Sequence, residues 1–138
     1  MHDKNYQPTN FYYVFVYGSL KNSFHNDIVL KDAEFVTNSR LKNHSLYVYE
    51  TKTGVGNFPI MMPNKNHSVM GEIYIVDDYT LHKLDKLESE GSMYDRVLVD
   101  ILIDNHLTEV YTYVGNPSFW EGYLTIYTNE RLHNWKKP

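Results

Sequence analysis

The sequence predicts an α+β fold, a small mixed β-barrel of about six or seven strands with one main helix. Three observations carry that expectation. Aromatic residues make up 15% of the chain, with thirteen Tyr among them, and such side chains favour the pleated surface of strands. Apolar runs of strand length recur along the sequence, separated by clusters of Gly, Pro, Asn and Asp. Helical spacing of apolar residues is clear in one segment, Leu81 to Leu87.

The elements follow in chain order. Residues 1–10 are polar, contain Pro8, and read as a loose lead-in. Phe11 to Tyr17 is a continuous apolar run, the pattern of a strand buried on both faces. Gly18-Ser19 breaks it. Asn26 to Lys31 reads as a short helix. Glu34–Val36, Ser45–Tyr49 and Phe58–Met62 read as short strands between turn-rich segments, of which Thr51 to Asn57 is the longest. Val69 to Val76 is a stronger strand. The main helix then starts at Asp77 or Asp78, either of which can cap it, presents Leu81, Leu84 and Leu87 to the core, and ends at Gly91. Strands Tyr94–Ile103 and Leu107–Val114 are joined by a tight loop, Asp104-Asn105-His106. Beyond Gly115-Asn116-Pro117 the pattern weakens. Phe119, Trp120, Tyr123, Ile126 and Tyr127 are expected to pack a tail on the body, and Glu130 to Trp135 to form a last helical turn or two. With 138 residues the chain reads as one domain, 1–138, whose tail is 117–138.

Composition excludes several chemistries. There is no Cys, hence no disulfide scaffold, thiolate zinc site or cysteine nucleophile. A net charge of −4 and a pI near 5.9 lack the basic footprint of a nucleic-acid binder. The Phe11–Tyr17 run is too short to span a bilayer, and no leader is evident, so a cytoplasmic location is expected. The seven His residues show no metal-ligand spacing. There is no G-x-S-x-G elbow and no P-loop, and Gly54-Val55-Gly56 lacks what a dinucleotide site needs.

Three constellations remain. On a helical wheel at ~100° per residue with Leu81 at zero, Leu84 falls at ~300°, Leu87 at ~240° and Glu88 at ~340°. Glu88 therefore lies on the apolar face, while Glu90, at ~180°, faces solvent. A carboxyl turned to the core is disfavoured unless paired or opened to a cavity, and desolvation raises its pKa into the range useful for acid–base work. The alternative is that Glu88, close to the helix end, frays into water. Tyr17-Gly18-Ser19-Leu20 follows the first buried strand. A Gly there lets the backbone approach a ligand, and exposed N–H groups can hold a carboxylate or an oxyanion; the alternative is an ordinary strand-ending turn. Tyr94 and Arg96 share one strand face, as do Tyr111 and Tyr113. Arg96 can take a carboxylate in a forked contact, or else be exposed or structurally paired, and the Tyr side chains can line a pocket or simply pack.

Val14-Phe15-Val16-Tyr17-Gly18-Ser19-Leu20-Lys21, Ala33-Glu34-Phe35-Val36, Leu46-Tyr47, Phe58-Pro59, Val69-Met70-Gly71-Glu72-Ile73-Tyr74, Leu84-Asp85-Lys86-Leu87-Glu88, Tyr94-Asp95-Arg96 and Val110-Tyr111-Thr112-Tyr113-Val114 occur in that order over residues 13–116. This ordered set resembles the γ-glutamylcyclotransferase-like superfamily, which includes γ-glutamylamine cyclotransferases and AIG2-like proteins. Ser89-Glu90 stands where many relatives have Gly. The resemblance implies a compact mixed barrel with flanking helices, the γ-glutamylcyclotransferase-like fold. It implies that the Tyr17–Leu20 loop holds the γ-glutamyl part of the substrate and that Glu88 is the catalytic acid/base, with no metal or organic cofactor. Tyr17, Gly18, Ser19, Leu20, Tyr94, Arg96 and Tyr113 are thus the candidate substrate-binding residues. The reaction implied is intramolecular aminolysis of a small γ-glutamyl amine or peptide, giving 5-oxoproline and a free amine, without nucleic acid or membrane as partner. A non-catalytic AIG2-like module holding an acidic amino-acid-like ligand is the alternative, and a Tyr-rich contact surface ranks below both. Oligomeric state is not legible.

Overall fold

The structure is a computed structural model and describes residues 10–18, 30–49 and 58–126. Its elements are β1 (Phe11–Val16), β2 (Glu34–Tyr49), β3 (Phe58–Asp77), α1 (Asp78–Leu87), β4 (Tyr94–Ile103), β5 (His106–Gly115), α2 (Pro117–Trp120) and β6 (Thr125–Ile126). One mixed sheet runs β4-β5-β1-β3-β2-β6. Among the named strands of the described residues only the β1–β5 pairing is parallel.

The expected barrel is not closed, since β4 and β6 end the strand order and no ladder joins them among the described residues. The sheet instead curls. One of its faces gathers Phe15, Leu41, Leu46, Met61, Val69, Ile73, Ile101 and Val110 into a buried cluster. That cluster unites β2 and β4, which are not neighbours in the sheet. The other face carries Val14, Val16, Ile60, Tyr74, Tyr94 and Tyr113, covered by Leu81 and Leu84 of α1 and by Trp120. β1 feeds both clusters, Val14 and Val16 on one side and Phe15 on the other, so the second half of its apolar run is buried on both faces as expected, while Phe11 at its start is exposed.

Two expected breaks are absent. Glu34–Val36 and Ser45–Tyr49 belong to one strand of 16 residues, and Phe58–Met62 and Val69–Val76 to one of 20. The stretch Thr37–His44 pairs with Pro63–Ile73, Asn38 with Glu72 and Lys42 with Ser68, with register shifts at Phe35/Thr37 and Lys42/His44. Their period-two pattern is lost because this part of the hairpin is largely in solvent, where no buried face has to be filled. Of the expected helix Asn26–Lys31, residues 26–29 lie outside the described residues; Leu30 is buried and Lys31 stands in a turn.

α1 starts where expected. The Asp77 carboxylate accepts a hydrogen bond from the Thr80 N–H at 2.8 Å, satisfying one of the free donors of the first turn. Leu81 and Leu84 are buried, but Leu87 is 42% exposed and does not join the core. The helix stops four residues before Gly91. Ser89 takes a left-handed φ of +50°, its N–H donates to the Lys86 carbonyl at 3.2 Å, and the Glu90 N–H donates to the Asp85 carbonyl at 2.9 Å. This is a Schellman motif with Ser in the place that Gly usually fills. It fixes Glu88 as the C-cap residue.

β4 and β5 pair from Tyr94↔Gly115 to Ile103↔His106 without irregularity. The connection is therefore a two-residue turn rather than the expected three, with Asp104 and Asn105 at φ +50° and +64° and His106 inside the ladder. Asp and Asn tolerate the left-handed region that such a turn demands. Of the expected tail contacts, Trp120 is buried, while Phe119, Tyr123 and Ile126 are exposed. Tyr127 and Glu130–Trp135 lie outside the described residues. No helix among the described residues is long and apolar enough to cross a membrane.

Candidate active site

The site is built where the end of β1, the start of β3 and the end of α1 meet β4 and β5. β1 delivers Tyr17, whose hydroxyl donates to the Tyr113 carbonyl at 2.7 Å and accepts from the Met61 N–H at 3.2 Å. Gly18 follows, buried and at φ +70°, and a Cβ there would meet Pro59 Cγ at 2.6 Å. Both the left-handed backbone and the close approach to β3 require Gly. β4 opens with Tyr94, whose hydroxyl donates to the Pro59 carbonyl at 3.2 Å. β5 supplies Tyr113, buried in the same cluster as Tyr94, whose hydroxyl donates to Asp85 Oδ1 at 2.6 Å.

Glu88 closes this group from the C-terminal end of α1. It is half-buried, and among the described residues no donor is hydrogen-bonded to its carboxyl. Desolvation accordingly pushes its pKa from 4.5 up to about 7. Burial raises the Tyr17 phenol well above its ordinary value, and the charge of Glu88 raises it further. Tyr94 is raised by burial and then by Glu88. Tyr113 is raised by burial first, then by its hydrogen bond to Asp85, with Glu88 adding to it. Glu88 is thus electrostatically close to Tyr17, Tyr94 and Tyr113, which are the residues that frame the Gly18 turn. The Schellman motif fixes the backbone of Glu88 at the helix end, and its side chain is partly rather than fully exposed.

The remaining candidates fare differently. Ser19 and Leu20 lie outside the described residues. Arg96 is not held ready for a ligand: its Nη1 donates to Asp85 Oδ2 at 2.7 Å and its guanidinium lies 4.7 Å from the Tyr111 ring centroid. Asp85 was legible only as a motif residue, yet it ties α1 to both β4 and β5. The wheel that places Glu88 inward puts Asp85 at ~40°, on the same face, and is the signal that finds it. Trp120, expected to pack the tail on the body, also borders this group. Its ring meets Tyr94 edge-on at 6.1 Å and its Nε1–H donates to the Met93 carbonyl at 2.8 Å. Among the described residues no group of His, Asp or Glu is arranged to hold a metal. A separate cleft of about 240 Å³, lined by Phe11, Lys31, Tyr79 and Lys83 among others, contains none of the candidate residues.

The curled mixed sheet with few helices is the AIG2-like class of fold, as the comparisons with known proteins show. Residues 14–137 match the family described as gamma-glutamyl cyclotransferase, AIG2-like, and the chain belongs to that family. A gamma-glutamylaminecyclotransferase of Bos taurus is 34% identical over 130 residues, covering 87% of this chain and 77% of that protein. The gamma-glutamylcyclotransferase family protein YtfP of Escherichia coli strain K12 is 34% identical over 86 residues, 62% of this chain and 70% of that one. The crystal structure of an AIG2-like protein from Mus musculus superposes with a TM-score of 0.65 at 27% identity, covering 92% of this chain and 97% of that one.

Proposed function

We propose that this protein is a γ-glutamyl cyclotransferase that releases 5-oxoproline from a γ-glutamyl amine or peptide, with Glu88 as general acid and base. One observation carries the reading: a carboxyl with no hydrogen-bond donor among the described residues, its pKa lifted to about 7 by burial, close to the strand end that turns at Gly18. An α-ammonium group cannot attack a carbonyl until it loses a proton. A carboxylate with a midpoint near neutrality is matched to take that proton and to give it up again. Glu88 accepts it, the freed amine attacks the substrate's own γ-carbonyl, and a five-membered lactam begins to form. Glu88 returns the proton to the departing nitrogen as the carbon–nitrogen bond breaks. The second proton of the ring nitrogen follows, leaving 5-oxoproline and a protonated amine.

Nucleophile and electrophile belong to one molecule, so the protein's main task is to fold the substrate into a reactive conformer. In this reading the Tyr17–Leu20 segment supplies backbone N–H groups to the substrate carboxylate or to the oxyanion, and Tyr94 and Tyr113 serve the approach to Glu88. The single-domain organisation over 1–138 and a cytoplasmic setting belong to the same proposal. Incubation with γ-glutamyl amines, γ-glutamyl dipeptides and glutathione should yield 5-oxoproline from at least one of them. Glu88→Gln should abolish release with the fold intact. Substantial ring closure by that variant removes Glu88 from the mechanism, and binding without product marks a non-catalytic module.

A further inference from the structure

The helix that carries Glu88 carries a second inward carboxyl with a task of its own, an inference that rests on the cyclotransferase reading only for the identity of its ligand. Asp85 takes the Tyr113 phenol proton at 2.6 Å and an Arg96 N–H at 2.7 Å. A phenol has one proton to donate and lone pairs with which to accept. With that proton committed to Asp85, the Tyr113 oxygen can only accept hydrogen bonds from anything else that reaches it. The same holds for Tyr94, whose proton is committed to the Pro59 carbonyl. Tyr17 gives its own proton to the Tyr113 carbonyl. All three phenols beside Glu88 therefore commit their protons elsewhere, and among the described residues these side chains offer it lone pairs rather than donors. Such a lining disfavours an anion and suits a cationic donor. Arg96, resting on the Tyr111 ring, holds the Asp85 carboxyl in place through its 2.7 Å salt bridge, so that the Tyr113 proton has a fixed destination.

We propose that Asp85 is the positioning residue of an ammonium-binding site, committing the Tyr113 proton so that the Tyr113 oxygen and the Glu88 carboxyl together hold the α-ammonium group of a γ-glutamyl compound. Asp85→Asn reverses the polarity. Arg96 still needs an acceptor and takes the Asn oxygen. The Asn amide N–H then faces Tyr113, which must accept from it and swing its own proton toward Glu88.

The test uses calorimetric binding of two probes that cannot form the lactam. L-methionine sulfone carries the α-ammonium and α-carboxylate of a γ-glutamyl compound; 4-(methylsulfonyl)butanoate is the same molecule without the ammonium. The wild type should prefer the ammonium-bearing probe by roughly tenfold or more, the value of one hydrogen bond to a charged group. Asp85→Asn and Tyr113→Phe should each cut that preference by about tenfold, and the double variant should lose no more than either single one. In Asp85→Asn the acid limb of any 5-oxoproline release should also move to lower pH, because Tyr113 now donates to Glu88, whereas a purely structural loss leaves that limb in place. No binding, no wild-type preference, an unchanged preference in Tyr113→Phe, or losses that multiply in the double variant each overturn the proposal. Should Asp85→Asn fail to fold, Tyr113→Phe alone decides. A wild type that keeps the preference yet releases no 5-oxoproline refutes the cyclotransferase reading and leaves this site standing.

Discussion

Replacing Glu88 by Gln should stabilise the protein, by an amount that grows with pH. Burial moves the Glu88 midpoint from 4.5 to about 7, so folding favours the protonated form. At low pH the carboxyl is protonated in both folded and unfolded chains and carries no penalty. As pH rises the unfolded chain ionises first, and stability falls until the folded carboxyl has ionised too, through about 7. Beyond that the penalty is constant at about 3 kcal/mol, from 1.36 kcal/mol for each tenfold change in proton affinity. Solvent relaxation around a half-buried group makes about 2 kcal/mol the working figure. Gln carries no such penalty. Urea unfolding of both proteins at about pH 4 and about pH 9 reads the difference, with other ionisable groups common to both. The midpoints should nearly coincide at the lower pH and separate by about 1 M at the higher, for an m-value of about 2 kcal/mol/M. A separation that does not change with pH means that Glu88 is solvated. A wild type more stable than Glu88→Gln at high pH means that a donor holds the carboxylate. Either result refutes the desolvation argument.

Three substitutions probe the scaffold around that carboxyl. Ser89→Gly should stabilise the fold by about 0.5–1 kcal/mol, since Ser89 sits at φ +50° where Gly carries no Cβ penalty; a thermal midpoint unchanged or lowered contradicts the Schellman assignment. Gly18→Ala should cost about 1–2 kcal/mol for its left-handed backbone alone and more for its contact with Pro59. It should also lower kcat/KM, because the Pro59 carbonyl orients Tyr94; normal stability and turnover would show that the turn is not as close to β3 as described. Tyr17→Phe should cost about 1–3 kcal/mol in chemical denaturation, since it strips the Met61 N–H and the Tyr113 carbonyl of their partner, and a neutral effect would remove Tyr17 from the frame of the site.

The parts of the fold that were legible are those in which one face had to be filled. Val14–Val16 read as buried on both sides because the run they belong to is unbroken and apolar. The start of α1 was visible because Asp77 has the one side chain needed at that position. The β4 and β5 spans were visible because their alternation runs up to the turn. The long hairpin of β2 and β3 was not, because Thr37–His44 and Pro63–Ser68, apart from the buried Leu41, have no buried apolar face and leave no period to detect. The helix end was misplaced at Gly91 because the left-handed position went to Ser89, which no pattern of glycines reveals. Glu88 was found because its angle on the helix conflicts with its charge. Asp85 lies on the same face but shows its function only through Tyr113 and Arg96, residues that the chain brings in from 28 and 11 positions away. Barrel closure was beyond reach for a different reason: it depends on whether two edge strands meet, and neither edge records the other's distance in its own sequence.

The pH dependence of 5-oxoproline release is the most direct examination of how this protein works. With Glu88 as the proton acceptor, kcat/KM for an accepted γ-glutamyl substrate should climb along an acid limb centred at about 7, and that limb should vanish with Glu88→Gln. A limb centred near 4.5, or one that survives the substitution in residual turnover, would mean that the proton travels through some other group.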